Sequence, residues 1–204
     1  MNWSRIGDNR WVASAYLERV YNVYLPIVVA PEPPKPDALA VTPYSQNDPR
    51  WRNDRLGTSS TTIGWNGCLI TCCAMVMKFY GEVTDPAKLN TWLVQHGGYA
   101  NDNLLYWGKI PLPIATWVDC MDVPAPLSQI DAALARGEPC IVHVDFVPST
   151  NPIDDHYVLL IGKLADDDYT MIDSWDGKIT NFKSRYISAS RYIFRIVSYA
   201  NRGK

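Results

Sequence analysis

Histidine is scarce in this sequence: three in 204 residues, His96, His143 and His156. Any chemistry that needs an imidazole must choose among them. An excess of one charge is missing too. Lys and Arg number 19 and Asp and Glu 21, for a net −2. No basic field therefore argues for nucleic acid or an anionic membrane. No apolar run reaches the roughly 18–20 residues a membrane span needs. The longest candidate, YLPIVVA, is short and leads into prolines. The opening residues, MNWSRIGDNR, lack an apolar signal-peptide core, so no secretion signal is expected and the compartment stays open. Internal repeats, a nucleotide-binding motif and a redox C-x-x-C pair are also absent. The five cysteines are odd in number and irregular in spacing. That pattern reads as reduced thiols rather than a disulfide framework. The rival is a secreted protein pairing Cys120 with Cys140.

What is present is a globular composition, 47% hydrophobic and 20% charged, with enough apolar residues for a core. Residues 31–36 read PEPPKP; such a run is neither helix nor central strand and favours extended geometry. A Pro-rich linker is therefore placed at 31–40. Residues 1–30 form an N-terminal extension in which WSRIGDNRWV reads as a β-hairpin around a polar turn. The main domain runs over 41–200. Its early part reads as helices. From Cys68 the positions Leu69, Cys72, Cys73, Val76, Met77 and Tyr80 make a helical stripe that Gly81 ends. AKLNTWLVQHGG and PLSQIDAALARG read as two more helices with glycine stops. The later part, with PCIVHVDFV, HYVLLIGKL, DYTMIDSW and SRYIFRIVSY, reads as strands. Helices followed by strands argue for an α+β fold with a mostly antiparallel sheet.

Three cysteines crowd into GWNGCLITCC. Structural zinc sites pair C-x₂₋₄-C motifs, usually two of them. Here one such cluster stands alone, so no metal site is expected, and no cofactor. Cys72 and Cys73 fall in the apolar stripe and read as packing. Cys68 opens the helix behind a glycine. Unpaired amides and the dipole at a helix start favour an anion, so its thiolate is expected to be stabilised. His143 lies mid-strand in IVHVDF and reads as structural. His156 opens the strand HYVLLIG after a turn-rich segment. HYVLLIGKL and DYTMIDSW are joined by a tight polar turn, as in an antiparallel hairpin. A turn centred near Ala165–Asp166 brings Asp173 within one or two positions of direct opposition to His156, close enough to orient its ring. Trp175 stands beside it as a shield. Gln46, in PYSQNDPRW, offers an amide donor that could join the Cys68 N–H in an oxyanion hole.

In this order, Gln46, Cys68, His156 and Asp173 resemble a papain-like cysteine peptidase. More narrowly, residues 41–195 are similar to the soluble relatives of the bacteriocin-processing, double-glycine leader peptidases. The resemblance implies catalytic roles for those four residues, a fold with Cys68 heading the central helix against the sheet, and a peptide or protein substrate. It departs from the family where Leu69, Ile70, Thr71 and Cys72 follow the nucleophile. The pattern W-x-R-I-G-x-x-x-W-V in the extension resembles the closing strands of a bacterial SH3-like domain. Such a domain beside a peptidase points to bacterial or phage proteins acting on cell-wall peptides. Trp65, Asn66, Gly67, Gly98, Tyr99 and Trp175 are taken as groove walls. The rivals are an acyltransferase or transglutaminase-like enzyme on the same fold, and a catalytically silent binding module.

Overall fold

The structure is a computed structural model, and it describes residues 3–7, 10–13, 38–147 and 155–200. The chain divides into two units, residues 1–36 and 37–204. In the first, β1 (Trp3–Gly7) pairs antiparallel with β2 (Arg10–Ala13), Trp3 opposite Ala13. The remainder of the extension and residues 31–37 of the linker lie outside the described residues.

The second unit begins its regular structure with α1 (Ile63–Asn66), α2 (Cys68–Phe79) and α3 (Pro86–Gln95). The α1 turn precedes the helix start expected at Cys68. Gly67 separates it from α2, and the break puts Cys68 at the first position of a new helix. Asp85 caps α3 by accepting from the Lys88 N–H at 2.9 Å, with Pro86 in the first turn. Gly81 (φ 92°) and Gly97 (φ 63°) follow the ends of α2 and α3.

The early half is not all helix. A short hairpin, β3 (Tyr99–Ala100) and β4 (Leu104–Leu105), turns through Asn101 and Asp102, both at positive φ. A 3-10 turn at Trp107–Lys109 and the edge strand β5 (Ile114–Asp119) follow. Then come α4 (Leu127–Ala135), β6 (Cys140–Asp145), β7 (Asp155–Ala165), β8 (Asp168–Asp173) and β9 (Ile179–Asn181). Two short helices, α5 (Phe182–Tyr186) and α6 (Ala189–Tyr192), lead into β10 (Ile193–Tyr199). The sheet order is β5-β10-β6-β7-β8-β9, and every pairing is antiparallel.

Both faces of this sheet are covered, so the fold is α+β in three layers. Alternation along β6 divides the core. Ile141 joins Leu159, Ile161, Ile172 and Val197 under α2 and α3. Cys140, Val142 and Val144 join Val158, Leu160, Met171 and Ile196 on the other face, with α4, α5 and α6. Residues Ile70 to Met77 of α2 are all buried. The apolar stripe expected for α2 is thus a helix enclosed on every side, because the loops of residues 38–56 and α3 cover the flank away from the sheet.

All five cysteines are free thiols. Cys120 donates to the Ile193 carbonyl at 3.3 Å, and no bond joins it to Cys140. No helix among the described residues is long and apolar enough to cross a membrane.

Candidate active site

The two hairpin strands fix the relation of His156 to Asp173. The turn falls at Asp166–Asp167, one residue beyond its expected centre, with Asp167 at φ 61°. Two register shifts follow, between Lys163 and Ala165 and between Leu160 and Gly162. They bring Asp173 opposite Val158. Val158 and His156 share a face, since side chains alternate along a strand. Asp173 is therefore a diagonal neighbour of His156, and Nε2 of the imidazole meets Asp173 Oδ1 at 2.8 Å. Both residues are buried.

The carboxylate of Asp173 is held on every side. Oδ1 also accepts the Trp175 N–H at 2.9 Å, and Oδ2 accepts from Arg185 Nη1. Burial by itself would raise this carboxyl. The hydrogen bonds from His156 and Trp175 and the charge of Arg185 outweigh it and hold the group below the usual carboxylate range. A depressed carboxyl contributes stability that is complete above its unfolded value, about 3.9. That contribution is lost as pH falls through its lower folded value. In urea unfolding at stepped pH, the stability advantage of wild type over Asp173→Asn is expected to be constant above about pH 4 and to shrink below it. An advantage that grows on acidification would contradict the assignment.

One backbone oxygen ties three parts of the site together. The Tyr157 carbonyl accepts from Cys72 Sγ at 3.4 Å and from Ser174 Oγ at 2.6 Å. Cys72 sits one helical turn after Cys68, so α2 is fixed to the strand start that carries His156. Ser174 fixes the turn after Asp173 to the same point. A further staple brings in Gln46. Its backbone N–H donates to Ser174 O at 2.7 Å. Ser45 Oγ and Asn47 Nδ2 both donate to Trp175 O, at 2.8 and 2.9 Å. Gln46 is buried, and its Nε2 donates to Gly64 O at 3.0 Å.

Cys68 keeps intermediate exposure at the head of α2. Its sulfur lies within reach of the N–H groups of Tyr157, Leu69 and Cys68 itself. The helix start was expected to lower this thiol. Burial acts the other way and is stronger, so the net result is a thiol pushed up to about 11. The amides moderate that rise without reversing it.

Cys68, His156 and Gln46 line one cleft of about 710 Å³. Trp65, Asn66 and Trp175 also line it. Gly67, Gly98 and Tyr99 do not. Gly67 is buried beneath Cys68, where an added Cβ would lie 2.4 Å from the Ile63 carbonyl oxygen. Gly98 packs on Leu93, and the Tyr99 hydroxyl donates to Asn90 Oδ1 at 2.8 Å. The near strand of the hairpin thus faces α3. Leu104, Leu105 and Trp107, past the turn, supply the wall instead. A far strand whose distance from the helix depends on a three-residue turn was not readable from composition.

Two further residues escaped the sequence reading. Phe146 sets its ring edge-on to His156 at 4.9 Å and tilted to Trp175 at 5.2 Å. Arg185 reaches Asp173 from α5. Of the other histidines, His143 stacks on Tyr157 at 5.0 Å, its Nε2 lying 2.6 Å from Asp155 Oδ1. Burial draws it down. His96 caps the end of α3, stacked on Trp92 at 4.1 Å. Among the described residues no group of three His, Cys, Asp or Glu gathers to hold a metal ion.

Residues 38–194 match the family model described as "Peptidase_C39 like family". No curated protein matches the chain. A solved structure described as a candidate C39-like peptidase from Bacillus anthracis is 16% identical, covering 83% of this chain and all of that one, with a TM-score of 0.47.

Proposed function

The chain belongs to the Peptidase_C39 like family, and from that premise we propose that it is a papain-like cysteine peptidase hydrolysing peptide or amide bonds through a thioester on Cys68. The observation that carries the reading is the buried His156–Asp173 hydrogen bond of 2.8 Å opening onto the cleft that holds Cys68. With Nε2–H donated to Asp173, Nδ1 is the ring nitrogen that takes the thiol proton.

His156 acts as the general base that takes the Cys68 proton during attack. Nδ1 takes the Sγ proton as the C–S bond forms. The Cys68 N–H and the second Nε2 hydrogen of Gln46 stabilise the oxyanion. Nδ1–H then passes its proton to the departing amine as the C–N bond breaks. Water, deprotonated by the same nitrogen, cleaves the thioester and releases a free acid.

The cleft walls favour apolar side chains beside the scissile bond. Trp65 stands 76% exposed and Leu104 58% exposed at the mouth. Aromatic surface left in water at a cleft rim gains most when a substrate covers it. The test is a mixed peptide library read by mass spectrometry, with cross-linked cell-wall peptide as one component. Products with free carboxyl ends, cut beside bulky apolar residues, support hydrolysis with this preference. Carboxyl groups joined to added amines would make the protein an acyltransferase. A library left whole, with no acyl adduct on Cys68, would make it a binding module. Trp65→Ala is expected to raise KM roughly tenfold with little change in kcat, the signature of uniform binding lost.

A further inference from the structure

We propose that Arg185 is a positioning residue of the site: it holds the Asp173 carboxylate, and through Phe146 the His156 ring, in the orientation that keeps Nδ1 directed at the reaction. This rests on the peptidase reading above and adds a residue to it.

Asp173 has two oxygens with separate duties. Oδ1 serves the catalytic side, accepting from His156 Nε2 at 2.8 Å and from the Trp175 N–H at 2.9 Å. Oδ2 serves Arg185 Nη1. A carboxylate held by one oxygen alone can turn about its Cβ–Cγ bond; held by both, its plane is fixed. The imidazole that bonds to it is then fixed as well.

The same guanidinium lies over the Phe146 ring, 4.6 Å from its centroid, and over Tyr186 at 5.5 Å. Phe146 in turn meets His156 edge-on at 4.9 Å. Arg185 therefore reaches the imidazole by two routes, one through the carboxylate and one through the aromatic wedge. Both contacts suit the planar, delocalised guanidinium better than an ammonium. The helix carrying it is itself pinned. The Lys183 N–H donates to Asp168 Oδ1 at 3.0 Å, and Phe182 and Tyr186 are buried under β8. Arg185 thus starts from a fixed base, with its side chain 31% exposed.

Removing the guanidinium should lose the orientation of both groups.

The experiment uses the full chain as wild type, Arg185→Met and Arg185→Lys. Three readouts are taken: kcat and KM on the peptide cleaved best in the library, the thermal midpoint, and the downfield proton NMR signal of the His156 Nε2–H. In Arg185→Met, kcat is expected to fall roughly 10–100-fold at unchanged KM, as for other loss of an orienting partner. The downfield signal broadens away. Arg185→Lys keeps the charge without the planar contact to Phe146, so it restores only part of kcat. A lowered thermal midpoint with unchanged kcat and an intact downfield signal would make Arg185 merely structural and overturn the proposal. So would a wild type that lacks the downfield signal. Should Arg185→Met fail to fold, Arg185→Lys decides: full wild-type kcat overturns the proposal. Absence of hydrolysis in wild type with the signal present would instead sink the peptidase reading.

Discussion

Cys68→Ala is expected to lower hydrolysis of a fluorescein-labelled casein by about 10⁴-fold or more, the scale at which nucleophile removal leaves only binding and oxyanion stabilisation. The fold should survive. Alanine is at home in a helix, and the Tyr157 N–H within reach of the Cys68 sulfur belongs to a strand that Cys72 and Ser174 also hold through the Tyr157 carbonyl. Cys73→Ala is the matched control. Cys73 is fully buried against the core, five residues on, and its loss should cost stability and leave turnover near wild type. Hydrolysis that persists in Cys68→Ala would remove the nucleophile assignment, whatever the other residues do. A rate lost equally in Cys73→Ala would show that the change acts through the fold.

Gly67→Ala should be a strongly damaging single methyl. Gly67 has an unremarkable φ of −90°, so its need for glycine is not conformational. It comes from crowding: an added Cβ meets Ile63 O at 2.4 Å, Ile63 Cγ2 at 2.7 Å and Ile63 Cα at 2.8 Å. Two of these are backbone atoms of the preceding helical turn and cannot swing aside. Overpacking of this kind costs about 2–3 kcal/mol, or roughly 4–12 °C in the thermal midpoint of a domain of this size. The displacement also moves the first residue of α2, so activity should fall further than stability alone explains. Gly108→Ala is the comparison. Nothing stands within 4 Å of its added Cβ, and its midpoint should stay within a degree or two of wild type. Equal midpoints for the two variants would contradict the crowding argument.

Periodicity made the elements near the site legible. The α2 helix, its glycine stop and the β7–β8 hairpin follow from local spacing, and the diagonal placement of Asp173 follows from the length of one turn. The two bulges in that hairpin could not be read, and they happen to preserve the expected pairing. Contacts set by distant chain were harder. Arg185 follows Asp173 by 12 residues, but a turn, a short strand and a helix start intervene, and nothing local says that the chain folds back under β8. Burial of the Cys68 thiol was missed for a related reason. A helix dipole is visible in sequence, whereas desolvation depends on what packs above it. The same holds for Gly98 and Tyr99: they adjoin the cleft in sequence, yet the hairpin turns their strand toward α3.

The place of β10 bears on how the protein comes into being. This strand is the last of the sheet in chain order, yet it lies inside, between β5 and β6. On the ribosome, where chains emerge from the amino end, β5 has no neighbour in the sheet until residues 193–199 appear. The Ser45–Asn47 staple likewise waits for Trp175, 128 residues after Asn47. A nascent chain can hold Cys68 long before it holds a finished cleft. The cleft is therefore completed only after Trp175 has emerged, and β5 is paired only after residues 193–199 have followed.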